Sequence, residues 1–500
     1  MKKEILFLSL IFVLFFMLSS VGCGYSPQTD KDTLVILVDG YPRTFDPRMG
    51  IDLASQRVFQ LVYNGLFVRD ENGELEKDLL ESYSFKNNSV FEFKLKKGIK
   101  FHNGEELTVD DVFYTIETLI KQGSLKSAPF LEIGEMKKTG KYSGKILLNK
   151  KDPSFPVNLC DGAFGVVSKK DGFSGTGGYK IVKKDTGKDI VFQRFENYFK
   201  GIPKTKKIVL KTVKDATTRT FELLNKSADM VFDSIPYETL NLFENRDYKI
   251  FRCPGDSVEY IAFNFKDKIL SRKEVRQAIC MAIDRDEAIK NLFYGYAIPA
   301  SSMIAPPNFY HFEGKQCESS IENANRLLDS LGFEKKSDGY RFKIEFLSTT
   351  SFISRLKAVF VQDRLKRIGV KVDIVSMDFG TFFEALKNGK FQMYSARWVG
   401  ISDPDIYRMV FYSKMTPPKG WNRGFYSNPE VDRLLDLLPE IEDKEQRREI
   451  YEKINSIILS DFAYIFLWHP ENVVITLKNI ENIKLTPSKS FSYLYLVEKR

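Results

Sequence analysis

The alternation of hydrophobic and polar positions predicts a first part of the chain that is rich in strands. The segment TLVILVDG, from Thr33, is almost wholly apolar, which is typical of a strand buried on both faces. The segment VFEFKLKKG, from Val90, alternates apolar and polar residues and predicts a half-exposed strand. Further short apolar segments between residues 130 and 215 predict more strands.

Helix signals also recur along the chain. Thr108 and Asp111 have the spacing of a capping box, and apolar residues three and four apart follow them as far as Gly123. Further helix starts are predicted at Ser271-x-x-Glu274, Asn428-Pro429 and Asp443-x-x-Gln446.

The second part of the chain has a regular α/β pattern. RFKIEFL predicts a strand, SFISRLKAVFVQDRLKRIG a helix and VKVDIVSM a second strand. Such a unit implies two parallel strands with a right-handed crossover. Because single hydrophobic cores stop growing beyond about 250–300 residues, a chain of 500 residues predicts at least two lobes.

Composition and charge exclude some function classes. Hydrophobic residues make up 43% and charged residues 28%, as in a globular protein, and the net charge is +9. The basic residues are scattered, and runs such as 204–207 adjoin alternating apolar residues. We interpret them as solvated strand faces, and we expect no nucleic-acid partner.

The N-terminus has the pattern of an export signal. Basic Lys2 and Lys3 precede a short apolar segment and a small-residue zone, so residues 1–22 are predicted to be a signal peptide. Cys23 follows in a setting that resembles the lipobox of bacterial lipoproteins, although Ser20 stands where that pattern usually has Leu. Cys23 is therefore predicted to be acylated, with residues 23–32 as a tether and plain cleavage as the alternative.

No motif points to catalysis, a cofactor or a metal. GFSGTGG, from Gly172, lacks the spacing of a nucleophile elbow, and His102, His311 and His469 are isolated along the chain. An exported hydrolase with a carboxylate pair stays an alternative that no motif supports. Four further cysteines, Cys160, Cys253, Cys280 and Cys317, permit two disulfides whose pairing the spacing cannot assign.

Aromatic residues make up 14% of the chain and are the main candidates for contact with a ligand. Trp398 lies in the mixed segment RWVGISDPDIYRM, and Trp421 lies among Gly, Pro and Asn. Both are predicted to line a ligand cleft, since Trp presents an apolar body with a polar tip. Trp468, within an apolar strand, is predicted to be core.

Several segments together resemble the extracytoplasmic solute-binding proteins of peptide- and nickel-type ABC importers. In chain order these are PRTFDPRMG, LVYNGLFVRDENGEL, FEFKLKKGIKFHNGEELTVDDVFYTIE, GTGGYKIVK, ENYFKGIPKTKKIVLK, EYIAFNFKDKILSRKEVRQAICMAIDRDEAI, YSNPEVDRLLD and DKEQRREIYEKI. The resemblance covers about the whole mature chain, and the order of the motifs makes it specific.

The resemblance implies a two-lobed α/β periplasmic-binding-protein fold of class II type, with an extra subdomain in the first lobe. The implied base lobe comprises residues 31–63, 176–266 and 478–500, the extra subdomain 64–175 and the second lobe 267–477. Linking strands would form a hinge, and a monomer would close on its ligand and dock on the permease subunits of an importer.

The resemblance also implies a ligand site and a peptide as its cargo. The implied ligand-binding residues are Thr44, Phe45, Arg397, Trp398, Gly400, Ile401, Asp403, Trp421 and Asn422. Peptide-binding members have an acid three positions after the Trp, which pairs with the ammonium of the peptide. Ile401 occupies that place here, so either Asp403 or Asp405 substitutes or the ligand lacks a free amine. A nickel complex, an oligosaccharide and a signalling or adhesion lipoprotein remain alternatives.

Overall fold

The computed structural model describes residues 30–500 except 125, 233–234, 245–246 and 315. The predicted signal peptide, Cys23 and most of the predicted tether therefore lie outside the described residues. No helix in the described part of the chain is long and apolar enough to cross a membrane.

The described chain contains both strands and helices. The strands are β1 (Thr33–Val38), β2 (Phe67–Arg69), β3 (Leu75–Lys77), β4 (Leu80–Lys86), β5 (Val90–Leu95), β6 (Ile133–Gly140), β7 (Ser143–Leu148), β8 (Tyr179–Lys184), β9 (Asp189–Arg194), β10 (Lys207–Thr212), β11 (Met230–Phe232), β12 (Tyr248–Pro254), β13 (Val258–Phe263), β14 (Ala297–Pro299), β15 (Phe342–Thr349), β16 (Val370–Met377), β17 (Met393–Trp398), β18 (Tyr464–Leu477), β19 (Ile480–Glu481) and β20 (Glu498–Lys499). The α-helices are α1 (Leu53–Val62), α2 (Val109–Lys121), α3 (Ala216–Leu224), α4 (Lys273–Ala282), α5 (Arg285–Phe293), α6 (Ile321–Ser330), α7 (Phe352–Arg367), α8 (Phe379–Lys387), α9 (Ile406–Phe411), α10 (Pro429–Leu437) and α11 (Lys444–Ser460).

One strand joins the two lobes. The 14-residue strand β18 pairs through its first half with β13 and β14, and through its second half with β11 and β12. The sheet order β16-β15-β17-β13-β18-β11-β1-β10-β9-β8 thus consists of two half-sheets that share β18. We call the half with β1 and β8–β12 the base lobe, and the half with β13–β17 the second lobe. The predicted two-lobed α/β fold is confirmed.

The chain changes lobes at two neighbouring places. Strand β12 pairs with the second half of β18 and β13 with its first half, so the chain crosses between residues 254 and 258. The crossing within β18 lies opposite, near residues 470–471. The boundaries expected from the resemblance, at 267 and 477, lie farther along the chain and stay predictions.

A separate four-stranded sheet, β4-β5-β7-β6, packs against helix α2 and forms what we call the subdomain. The capping box is present, since the Asp111 carboxylate accepts from the Thr108 backbone N–H at 2.9 Å. Gly144 allows the close approach of helix and sheet, because a Cβ there would lie 2.7 Å from the Val109 side chain. The subdomain contributes one side of the contact between the lobes.

Local predictions are confirmed at most of the elements. Strands β15 and β16 pair in parallel across α7, and Asn428 and Asp443 cap α10 and α11 with their side chains. The capping box predicted at Ser271 is wrong. Helix α4 begins at Lys273 behind Arg272, and the Asp267 side chain instead accepts from the N–H groups of the preceding turn.

Cys280 and Cys317 form a disulfide that ties α4 to the loop before α6. Cys160 is a buried thiol, and burial raises its pKa well above the ordinary value. The disulfide suits a protein that folds in an oxidising compartment.

Candidate functional site

A cavity of about 530 Å³ lies between the two lobes at the hinge. Asp39 follows β1 in the base lobe, Arg397 lies one residue before the end of β17 in the second lobe, and Glu471 and Asn472 come from β18. Its volume falls within the range of about 300–1,000 Å³ that small-ligand sites occupy. We call this space the interlobe cavity.

The lining of the interlobe cavity carries both signs of charge. Its charged side chains are Arg57, Arg397 and Lys489, and Asp39, Glu238 and Glu471. Glu471 pairs with Arg252 at 2.5 Å, whereas Asp39 and Glu238 form no ion pair within the described chain. Apolar walls come from Tyr237, Phe293 and Phe352, the last of these strongly exposed.

Arg397 is held at the wall of the cavity by a buried carboxylate. Glu259 on the neighbouring strand β13 accepts from Arg397 Nε at 2.6 Å and also pairs with Lys357 of α7. Burial alone would raise the pKa of Glu259, but Arg397 and Lys357 hold it below its ordinary value. The Arg397 side chain remains 39% exposed and lines the cavity.

Trp398 lies on the opposite face of the same strand. Its ring stacks on Tyr260 at a centroid distance of 6.0 Å and contacts Trp421 at 5.4 Å, and the Arg423 guanidinium lies over it. Successive side chains of a strand point to opposite faces. Neither indole borders the interlobe cavity with Arg397, and the ligand role of Trp398 and Trp421 stays a prediction.

Asn422 serves the fold of its own loop. Its side-chain amide donates to the carbonyls of Tyr412 and Tyr426 and accepts from the Tyr426 N–H at 3.0 Å. Because these bonds use both donors and the oxygen of a buried side chain, little capacity remains for a ligand. Asn422 thus stabilises its own loop in this structure, and the ligand role that the resemblance implies stays a prediction.

Gly400 and Ile401 form the turn that follows β17. Gly400 has φ of +72°, which glycine adopts without strain, and no atom would block a side chain there. Ile401 is buried, and its N–H donates to the Asp256 carbonyl at 2.8 Å. The small cavity beside Ile401 measures about 10 Å³, which is no more than one water molecule needs. Ile401 lines that small cavity and not the interlobe cavity.

Asp403 and Asp405 belong to a contact between the second lobe and the subdomain. Asp403 accepts from Ser154 Oγ at 2.9 Å and from the Asp405 N–H at 2.9 Å. Burial, and then the nearby Asp403, raises the pKa of Asp405 to about 6. Neither acid borders the interlobe cavity, and the substitution of either one for the missing acid stays a prediction.

Two further contacts cross from the subdomain to the second lobe. Asn88, in the turn between β4 and β5, donates to the carbonyls of Pro439 and Ile441 at 3.0 Å each. Lys151 pairs with Glu440. We call the contacts of Asn88, Lys151 and Ser154 with the second lobe the seam.

Thr44 and Phe45 lie away from the interlobe cavity. Thr44 Oγ1 accepts from the Asp46 N–H at 3.1 Å, which shapes the loop after β1. Phe45 borders a second cavity of about 470 Å³ within the first part of the chain. The two lobes therefore do not bring Phe45 together with Arg397.

Of the charged residues that line the interlobe cavity, the sequence predicted only Arg397 as a ligand-binding residue. Arg57 lies on α1, Glu238 on a 3-10 turn and Lys489 in the C-terminal segment, so no short motif contains them. One signal was available, since Asp39 follows directly after a buried strand of an α/β sheet, where ligands commonly bind.

The three histidines do not converge. His311 and His469 approach each other with ring centroids 6.3 Å apart, whereas His102 lies in the first part of the chain. Burial lowers the pKa of His469 to about 4, so its ring is neutral near pH 7. Within the described residues there is no group of three His, Cys, Asp or Glu side chains that could hold a metal ion.

Comparison with known proteins places this geometry in context. The model of the bacterial extracellular solute-binding proteins, family 5, matches residues 74–418. The oligopeptide-binding protein AppA of Bacillus subtilis is 28% identical over 100% of this chain and 98% of its own length. The glutathione-binding protein GsiB of Escherichia coli K12 is 26% identical over 93% of this chain and 94% of its own. The solved structure of NikZ from Campylobacter jejuni in complex with Ni(L-His) covers 94% of this chain and 100% of its own, with a TM-score of 0.78 and 26% identity.

Proposed function

Because this chain belongs to the bacterial extracellular solute-binding proteins of family 5, which are transport binding proteins and not enzymes, we propose that it captures short peptides in the interlobe cavity and delivers them to the permease of an ABC importer. The observation that carries the proposal is the cavity lining, which presents both signs of charge and apolar walls between two lobes. A short peptide carries an ammonium and a carboxylate at its ends, and side chains between them. A lining of one sign would leave one end without a counter-charge.

The roles of the lining residues follow from their charges. Arg397, which borders the cavity as a guanidinium held by Glu259, is proposed to bind the carboxylate end together with Lys489. Asp39 and Glu238 are proposed to bind the ammonium end, in place of the acid that Ile401 replaces. Trp398 and Trp421 would support strand β17, which carries Arg397, rather than stack on the ligand.

An exported and anchored location suits this role. We propose that residues 1–22 are removed and that Cys23 carries lipid, which would hold the monomer near its permease. The disulfide between Cys280 and Cys317 supports a location outside the reducing cytoplasm.

Ligand identification tests the proposal. Mature protein is unfolded and refolded to remove bound cargo, then titrated with dipeptides to pentapeptides, a nickel–histidine complex and short oligosaccharides. A ligand at 100 times its Kd should stabilise the protein by about 2.7 kcal/mol. We expect peptides to do so, with weaker binding after acetylation of the amine or amidation of the carboxylate. Stabilisation by the nickel complex or the sugars, with none by any peptide, would overturn the proposal.

Two substitutions then assign the ends of the peptide. Arg397→Gln should weaken peptide binding at least about tenfold, since a hydrogen bond to a charged group is worth about 1.5–3 kcal/mol. The loss should largely disappear with C-amidated peptide. Asp39→Asn should behave in the same way toward N-acetylated peptide. Arg433→Gln, on the surface of α10, and Asp32→Asn, before β1, are the matched controls.

A further inference from the structure

The second cavity is separate from the interlobe cavity. It measures about 470 Å³, and none of its lining residues lines the interlobe cavity. It lies between residues 45–47 of the loop after β1 and the GFSGTGG segment before β8, none of which lines the interlobe cavity. We call it the lysine pocket, because Lys180 and Lys184 of β8 border it.

The charge of the lysine pocket is positive and uncompensated. Among the described residues, neither Lys180 nor Lys184 has a carboxylate within ion-pair distance. The Lys180 ammonium donates to the His102 carbonyl at 2.9 Å, and the Lys184 ammonium lies 4.5 Å from the centre of the Phe45 ring. Desolvation lowers the pKa of Lys180, as expected for a half-buried ammonium that lacks a counter-ion.

The other titratable groups of the pocket do not offset these two charges. The Asp46 carboxylate already accepts hydrogen bonds from Nε and Nη2 of Arg48, at 2.8 Å each. The pKa of His102 is lowered to about 4, chiefly by burial, and burial raises the pKa of Tyr63, so both are neutral near pH 7. The nearby Asp171 turns its carboxylate to Ser174 Oγ, at 2.6 Å, within its own loop.

The walls of the pocket are apolar and aromatic. Phe45, Val62 and Ile181 line it, and the Phe173 side chain at its rim is 67% exposed. A mostly apolar lining with a small number of charged groups is the usual composition of a small-molecule site.

From this combination we propose that the lysine pocket binds a small amphipathic organic anion, with a carboxylate held by Lys180 and Lys184 and an apolar body against Phe45, Ile181 and Phe173. The site is independent of the peptide proposal, because the two cavities share no lining residue. The competing structural explanation is that lysines on β8, the edge strand of the large sheet, only prevent pairing with other chains.

The test ligand is the anion 3-phenylpropionate. The control ligand is 3-phenylpropylamine, a cation of similar shape. Each is titrated into the mature chain by calorimetry, with and without saturating peptide. We expect the anion to bind at least about tenfold more tightly than the amine, with an affinity that falls at high salt and does not change with peptide. Equal binding of the two probes, or no binding of the anion, would show that the lysines serve the edge strand only.

Variants locate the binding. Lys184→Gln and Lys180→Gln should each weaken the anion about two- to fivefold, the range of a partly exposed ion pair. Lys183→Gln is the matched control, because Lys183 is the neighbouring exposed lysine on the same strand and does not line the pocket. Crystals soaked in 3-(4-bromophenyl)propionate should show bromine beside Phe45. Bromine in the interlobe cavity alone, or an equal loss with Lys183→Gln, contradicts the proposal.

Discussion

The interlobe cavity and the lysine pocket have similar volumes, about 530 and 470 Å³, yet they are built in different ways. The walls of the interlobe cavity come from both lobes and carry both signs of charge. The walls of the lysine pocket come only from residues 45–184, and their uncompensated charge is positive. A ligand in the interlobe cavity therefore gains its contacts only when the lobes close, whereas a ligand in the lysine pocket does not depend on closure. Mutations that act on closure should separate the two sites.

The largest effect is expected from Lys357→Met. Lys357 and Glu259 are both almost completely buried, and the substitution leaves Glu259 with Arg397 as its remaining cation. Breaking a buried pair costs about 3–5 kcal/mol, so we expect the free energy of unfolding to fall by about 3 kcal/mol. Peptide affinity should fall too, since Arg397 is then drawn toward Glu259, while binding in the lysine pocket should not change.

Urea unfolding and calorimetry measure the two effects of Lys357→Met. Lys366→Met, on an exposed position of the same helix α7, is the control. A loss below about 1 kcal/mol would mean that the buried pair does not hold this wall.

A smaller effect is expected from Asn88→Gly, which removes two hydrogen bonds of the seam. Asn88 has φ of +49°, so glycine keeps the backbone conformation that alanine would strain. At about 0.5–1.5 kcal/mol for each bond, the closed form loses at least about 1 kcal/mol, and peptide affinity should fall about fivefold.

The neighbouring Asn87→Gly serves as the control for the seam, because Asn87 is exposed and has φ of +53°. Affinity for 3-phenylpropionate should be the same in wild type and both variants. If Asn88→Gly weakened both ligands equally, the distinction between the two cavities would fail.

The smallest effect is expected from Asp405→Asn, and it depends on pH. The pKa of Asp405 is about 6, raised by burial, then by Asp403, and also by Asp152 of the subdomain, while Arg408 and Arg447 act in the opposite direction. The ordinary value in the unfolded chain is about 3.9, so the folded protein binds the proton more tightly. The charged carboxyl therefore costs stability above pH 6, and this cost disappears as the pH falls toward 4.

Asp405→Asn should thus raise the free energy of unfolding by about 1–2 kcal/mol at pH 7.5 and by much less at pH 4. Urea unfolding at the two pH values measures the difference, with the exposed Asp363→Asn of α7 as the control. An equal change at both pH values would contradict the raised pKa of Asp405.

Much of the fold could be predicted because its signals are local. The capping box of Thr108 with Asp111 and the caps Asn428 and Asp443 act within three residues of their helix starts. The wrong prediction at Ser271 shows where local signals are insufficient. Asp267 accepts hydrogen bonds from the preceding turn, and the helix begins at Lys273 without a cap from Ser271.

The candidate site was less predictable because it joins distant segments. Asp39, Arg57, Arg397 and Lys489 border one cavity, and no short motif connects them. The pairing of Cys280 with Cys317 depends in the same way on how α4 lies against the following loop.

By itself, the sequence determined the strands and helices, the family and the two-lobed architecture, because side-chain periodicity, caps and ordered motifs are written along the chain. Only the tertiary structure decided that adjacent residues Arg397 and Trp398 serve different faces, one bordering the interlobe cavity and the other packed on Tyr260. It also decided that Phe45 borders the lysine pocket instead. Which face of an element meets a cavity depends on packing between segments far apart in the chain, and that packing leaves no local pattern.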